Sequence, residues 1–316
     1  MVSTTHTRAS ERAPLVSVGI PVYNGERYLA AALDAMLAQD LEDFELIVSD
    51  NASQDGTAEI AREYAARDRR IRYFRNERNL GLVRNFNGVF ALSKGRYFKW
   101  TAHDDWHPPH TLRVCVDALE QDPSAVLCAT AVAIMDDDGE VFAEWHPPHD
   151  LRSPASHLRV HRLLWSMGET HPLFAVMRSD ALRRTRFAPN LYRGFLGADR
   201  VLLAELALMG PIVQVPEVLH HYRQARMRPG AHVRTDRTPP SVILDPANKG
   251  KLPSRTWRLG IEHLRLVGSA RLDLRHKLWL VGDVLARFGL RDSRLLAAEA
   301  YHSGRILVAR ATSRSA

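Results

Sequence analysis

Cysteine is nearly absent from this chain: 316 residues hold two, Cys115 and Cys128. Both have apolar neighbours and read as packed thiols rather than a disulfide, which suits a reducing, cytoplasmic setting. No apolar run approaches the roughly 20 residues needed to cross a bilayer. Residues 1–13 are polar, lack a signal-type hydrophobic core and are expected to fray. No Gly-x-Gly-x-x-Gly follows the first apolar strand, and no Gly-Lys-Ser/Thr phosphate loop occurs anywhere. These absences disfavour a dinucleotide oxidoreductase and a P-loop kinase, so any phosphate must be met by metal and basic side chains. The histidines lack metal-ligand spacing on any one helix, which argues against zinc. No internal repeat is visible. A hydrophobic content of 45% and a charged content of 25% are ordinary globular values and argue against disorder.

What is present is an alternation. Residues 15–22, 44–49, 71–76 and 97–102 read as strands. Leu29, Leu33, Met36 and Leu37 share a helical face between the first two, as do Ile60 and Tyr64 between the next two, and Leu112, Cys115, Val116 and Leu119 after the fourth. Strands alternating with helices imply an α/β fold with parallel pairing and right-handed crossovers. In such sheets ligands bind beyond the carboxyl ends of the strands. Tyr23, Asn24, Asp50, Asp104 and Asp105 all fall at that edge.

The fourth strand runs into His103, Asp104 and Asp105. Two adjacent carboxylates in a partly desolvated crevice repel each other, and a divalent cation resolves the repulsion. Oxygen ligands favour magnesium or manganese, ions that keep waters and bind substrate phosphates. The competing reading is an acidic turn capping the helix that starts near His110, after Pro108 and Pro109. Tyr23 suits stacking on a nucleotide base and Asp50 suits hydrogen-bonding it. The alternatives are a half-buried strand-end aromatic and a turn cap before Thr57.

Taken together, Pro21-Val22-Tyr23-Asn24-Gly25, Asp50-Asn51-Ala52-Ser53-Gln54-Asp55-Gly56-Thr57, Asn79-Leu80-Gly81 with Asn87 and Gly95, and His103-Asp104-Asp105 resemble the family 2 glycosyltransferases. The resemblance covers roughly residues 14–223. It implies the GT-A (Rossmann-like) fold, a mixed sheet flanked by helices, and sugar transfer from a nucleoside-diphosphate donor, usually inverting. By the same resemblance, Pro21, Tyr23, Asn24, Asp50, Asn51, Asn87 and Asp104 fall at donor-binding positions, and Asp104 with Asp105 holds Mg2+ or Mn2+. Ala102 departs from the family, which often has an Asp there. Asp199, just before the apolar helical run 201–209, falls where relatives often read Glu-Asp; here Ala198 replaces the Glu. Asp199 is the expected catalytic base, with a plain helix-start residue as the alternative. His103, His171, Arg178, His221 and Arg223 are candidate acceptor or diphosphate contacts, each equally open to a structural role.

Charge is unevenly placed. From Tyr222 onward 19 Lys and Arg face 7 Asp and Glu, a net of +12 within a chain of +7, leaving −5 for the rest. Residues 224–255 are rich in Arg, Pro and Gly and read as a long loop or lid. Residues 256–316 read as three basic helices. Packing on the core or on a second subunit, as in a homodimer, is the preferred use for them; resting on the inner face of an anionic membrane is the other. Nucleic acid is disfavoured because no recognition module accompanies the charge. The sequence thus points to a metal-assisted hexosyltransferase-like enzyme acting on a glycan, lipid-linked or small-molecule hydroxyl. A nucleotidyltransferase of the same fold and a binding protein without catalysis are the rivals.

Overall fold

The computed structural model describes residues 12–146, 151–166, 171–186, 197–224, 246 and 255–312. The expected alternation is its organising feature. Strands β1 (Val16–Val22), β2 (Phe44–Asp50), β3 (Ile71–Arg75) and β4 (Tyr97–Trp100) pair in the parallel order β3-β2-β1-β4. Helices α1 (Leu29–Leu37), α2 (Thr57–Arg67) and α3 (Leu82–Ala91) make the crossovers, and α4 (Thr111–Gln121) follows β4. β1 and β2 are buried along their whole length, as strands covered on both faces must be.

The second half of the sheet is mixed. β7 (Val176–Arg178) runs antiparallel to both β4 and β5 (Leu127–Met135). β5 then pairs antiparallel with β6 (Val141–Trp145) and parallel with β8 (Ile212–Arg223). α5 (Ser156–Ser166), a 3-10 turn (His171–Phe174), α6 (Ser179–Arg183) and α7 (Ala198–Met209) fill the connections. Where the sequence suggests a plain loop entering β7, the structure has this 3-10 turn.

Each face of the sheet carries its own core. Leu29, Leu33 and Met36 of α1 and Leu112 and Leu119 of α4 pack with Val18, Ile20 and Leu46 on one side. Val89 and Phe90 of α3 and Leu202 and Leu206 of α7 pack with Ile47, Phe98 and Trp100 on the other. Phe98 and Trp100 meet edge to face at 4.7 Å, a favourable aromatic geometry. Strand alternation then sends Lys99, between them, into the opposite layer.

The three C-terminal helices form as expected: α8 (Arg255–Ser269), α9 (Leu274–Leu285) with a π-helical turn (Ala286–Arg291), and α10 (Ser293–Thr312). Leu259, Val267, Leu280, Val284 and Phe288 join the same core as α7. The extension is therefore packed onto the main body. The 224–255 loop lies almost wholly outside the described residues. Among the described residues, no helix is long and apolar enough to cross a membrane.

Candidate functional site

The loops after β1, β2 and β4 meet at one edge of the sheet, and the motif residues explain how. Asn24 accepts from the Gln54 amide at 2.9 Å, its own amide donates to Ser53 Oγ at 2.9 Å, and the Gly25 amide donates to Thr57 Oγ1 at 2.8 Å. Asn24 and Ala52 both hold positive φ, 52° and 63°, a left-handed conformation uncommon outside glycine and concentrated at functional loops. Gly25 is needed for closeness: a Cβ there would lie 2.6 Å from His103 Cδ2. The β1 loop thus packs directly on the loop after β4. Tyr23 is 42% exposed at this edge.

Asp50 and Asn51 are more enclosed than their expected donor-binding role requires. Asp50 is fully buried and receives Tyr73 Oη at 2.9 Å, Arg75 Nη1 at 2.6 Å and the Ser53 amide at 2.8 Å. A carboxylate offers about four acceptor sites, so little capacity is left for a base. Asn51 donates to Asn79 Oδ1 at 2.9 Å and accepts from the Leu80 amide at 2.9 Å and Asn76 Nδ2 at 3.1 Å. Its side-chain polar atoms bind the 76–81 loop. Pro21 lies within β1 opposite Ser49, and Asn87 is buried on α3.

The acidic pair is split. Asp105 is 3% exposed, and its oxygens take His220 Nε2 at 2.8 Å and the Arg223 amide at 3.2 Å. Burial pushes its carboxyl up, but the His220 charge and hydrogen bond outweigh this and hold it below the ordinary carboxylate range. Asp104 is half-buried and lines a cavity of about 380 Å³ with Tyr28, Trp106, Val141, His221 and Arg223. Burial, with the neighbouring Asp105, raises the Asp104 carboxyl, against an opposing effect of His103. Asp104 is thus the carboxylate that faces the cavity, and Asp105 is the one that fixes its loop to β8.

No group of three or more His, Cys, Asp or Glu among the described residues has metal-holding geometry. The donor set still fits a hard ion, because magnesium-type sites commonly use one or two carboxylates and fill the rest with substrate phosphates and water.

Behind Asp105 lies a buried layer that sequence reasoning left largely unread. His107 stacks on His220 at 4.9 Å with nearly parallel rings. Burial drives the His107 imidazole well below its usual pKa, so it is neutral. The Phe174 ring meets His220 edge-on at 5.4 Å, and Lys99 Nζ donates to the Phe174 carbonyl. Burial lowers the Lys99 ammonium to about 8, with Cys115, Asp105 and Cys128 opposing the shift. The signal was a lone lysine in the apolar stretch Tyr97-Phe98-Lys99-Trp100.

Of the expected acceptor or diphosphate contacts, Arg178 is placed elsewhere, while Arg223 and His221 line the cavity that Asp104 lines. Arg178 pairs with Tyr97 at the start of β4 and donates to the Ala125 and Leu119 carbonyls at 2.7 and 2.6 Å. Strand direction therefore carries it to the edge opposite the site. Arg223 donates to the carbonyls of Asp104 at 3.0 Å and Asp136 at 2.6 Å, and stacks on Tyr28. Its guanidinium braces the wall of the cavity that Asp104 lines. His221 meets Trp106 edge-on at 4.7 Å and its backbone bridges to the same residue. His171 opens the 3-10 turn; its side chain lies outside the described residues.

Asp199 occupies the first turn of α7, behind Gly197, whose φ of 99° suits glycine. α7 packs on the 3-10 turn, and that turn packs on β4. One short segment therefore links the helix bearing Asp199 to the strand that delivers Asp104.

A parallel β3-β2-β1-β4 half with its functional loops at the carboxyl ends, continued by a mixed half, is the GT-A arrangement. Residues 17–186 match the family model for glycosyl transferase family 2, and the chain belongs to that family. An uncharacterised glycosyltransferase of Haemophilus influenzae is 25% identical over 215 residues, 67% of this chain and 66% of that protein. The chondroitin synthase of Escherichia coli is 29% identical over 133 residues, 42% of this chain and 19% of that enzyme. The chain thus spans less than two thirds of the length of these relatives. The structure of S. aureus TarS 1–349 in complex with UDP-GlcNAc superimposes with a TM-score of 0.62 at 16% identity, covering 86% of this chain and 72% of that one.

Proposed function

We propose that this protein transfers a sugar from a nucleoside-diphosphate donor to an acceptor hydroxyl, with inversion at the anomeric carbon. The observation that carries the reading is the convergence of Tyr23, Asp50 and Asp104 on one sheet edge in a family 2 chain. Tyr23 packs on the base, and Asp50 shapes the loop beneath it. Asp104 faces the diphosphate. A magnesium or manganese ion held there would offset charge on the leaving group. Asp199 takes the acceptor proton as the new bond forms. Support for that role is the packing of α7, through the 3-10 turn, on the β4 strand.

Ala102 and Ala198, where relatives often carry acids, favour a second reading: a GT-A-fold binding protein without turnover. A nucleotidyltransferase would use the same edge but attack phosphorus. Incubation with a panel of nucleotide sugars and Mn2+, uridine donors first because TarS was crystallised with UDP-GlcNAc, separates all three. Release of a nucleoside diphosphate is expected. Pyrophosphate release would decide for the nucleotidyltransferase, and donor binding without any product would decide for the binding protein.

A further inference from the structure

One face of the C-terminal helices is left uncovered, and its chemistry is specific. On α9, Leu274, Leu278 and Leu285 are 72%, 62% and 55% exposed. At about 100° per residue they share an arc of roughly 40°, with Val281 alongside. A second face of the same helix, about 120° around from the stripe, is spent on the core through Leu280 and Val284. Among the described residues nothing covers the leucine stripe, and a monomeric soluble protein seldom leaves one in water.

The exposed charges around the stripe are mostly positive. Residues 255–301 hold nine Arg and Lys against five Asp and Glu. Four of the five acids are engaged within the fold. Asp283 receives His161 Nδ1 at 2.7 Å and the Trp165 indole N–H. Glu262 pairs with Arg265 at 2.8 Å, Asp292 pairs with Arg287, and Glu299 accepts from the Thr256 amide at 2.8 Å. Arg265, Arg271, Arg275, Arg291 and Arg294 remain exposed. Asp273, 72% exposed at the start of α9, lies 3.7 Å from His276 Nδ1.

We infer that α9 lies in the plane of an anionic lipid surface, its leucine stripe inserted and its arginines at the headgroups. An apolar arc flanked by cations is what interfacial binding requires, since buried apolar area and attraction to anionic lipid add. A second copy of the chain is the other partner such a stripe could take. The positions beside the stripe, Arg275 and Lys277, argue against it: pairing two copies along the stripe would bring cation toward cation, where helix pairs place opposite charges. Since no described helix can span a bilayer, the contact is peripheral. It stands independently of the transfer reaction.

Co-sedimentation of the full chain with vesicles tests this. One set is pure phosphatidylcholine, and the other contains about one-third phosphatidylglycerol. Binding to the anionic set alone, weakened by salt, is expected. Each basic residue at such a surface contributes about fivefold in partition, so Arg275→Glu is expected to weaken binding by about tenfold or more. Leu278→Glu with Leu285→Glu is expected to abolish it. Circular dichroism and the unfolding midpoint confirm that each variant is folded, and Leu278→Gln serves if the double variant is not. No binding by the wild type, equal binding to both vesicle sets, or unchanged binding by the folded variants overturns the proposal. So does a wild-type dimer in light scattering that Leu278→Glu dissociates while vesicle binding is absent.

Discussion

Asp104 and Asp105 are adjacent in the chain and identical in chemistry, yet the fold gives them different work. Asp105 is locked between His220 and the Arg223 amide. Disrupting the hydrogen bonds of a buried carboxylate costs on the order of 1–3 kcal/mol. Asp105→Asn is therefore expected to lower stability by about 1–3 kcal/mol in denaturant titration, while the folded protein keeps its Mn2+-dependent stabilisation by donor. Asp104→Asn is expected to do the reverse, with near-normal stability and no metal-dependent thermal shift. The opposite pattern in the two variants would reassign the pair. Spacing alone could not separate them, because the partner that decides is His220, 115 positions downstream. The same reason hid the engagement of Asn51 by the 76–81 loop. Tyr23 and Gly25 were legible, since the strand before them fixes where they emerge.

Periodicity found the four parallel strands and the C-terminal helices to within a few residues, because burial on fixed faces leaves its imprint on sequence, but it did not mark α3, β5 or β6. It could not say what those faces touch. Arg178 looked like an acceptor contact in a loop, but an antiparallel strand carries it to the far edge. The helical extension shows the energetic consequence of such packing. His263 on α8 is buried, its Nδ1 2.8 Å from the Leu259 carbonyl. Burial first, then Arg200, Arg186 and Arg287, lowers the imidazole from 6.5 to about 4, against the opposing Leu259 bond. The native state therefore excludes a proton that the unfolded chain accepts. Its contribution is complete above about pH 6.5 and is lost as pH falls toward 4, amounting to about 3 kcal/mol. His263→Leu is expected to flatten that part of the pH–stability curve in thermal unfolding. An unchanged slope would mean that His263 titrates normally in the native protein.

For the protein as a unit, the division of charge read from the sequence matches a division of labour. The parallel half and its loops carry the candidate site, and the basic helices close the core behind α7 while exposing a leucine stripe outward. What joins site and extension is α7 itself, which packs on the 3-10 turn at its front and on α8 at its back. That helix carries Asp199, the proposed base, so the most direct measurement is of Asp199→Asn. Donor binding is read by calorimetry and nucleoside-diphosphate release by a coupled assay. The expected result is unchanged donor affinity, with release slowed by about 10²–10⁴-fold as general-base catalysis is lost. Release at the wild-type rate in a variant that still binds donor would contradict the account.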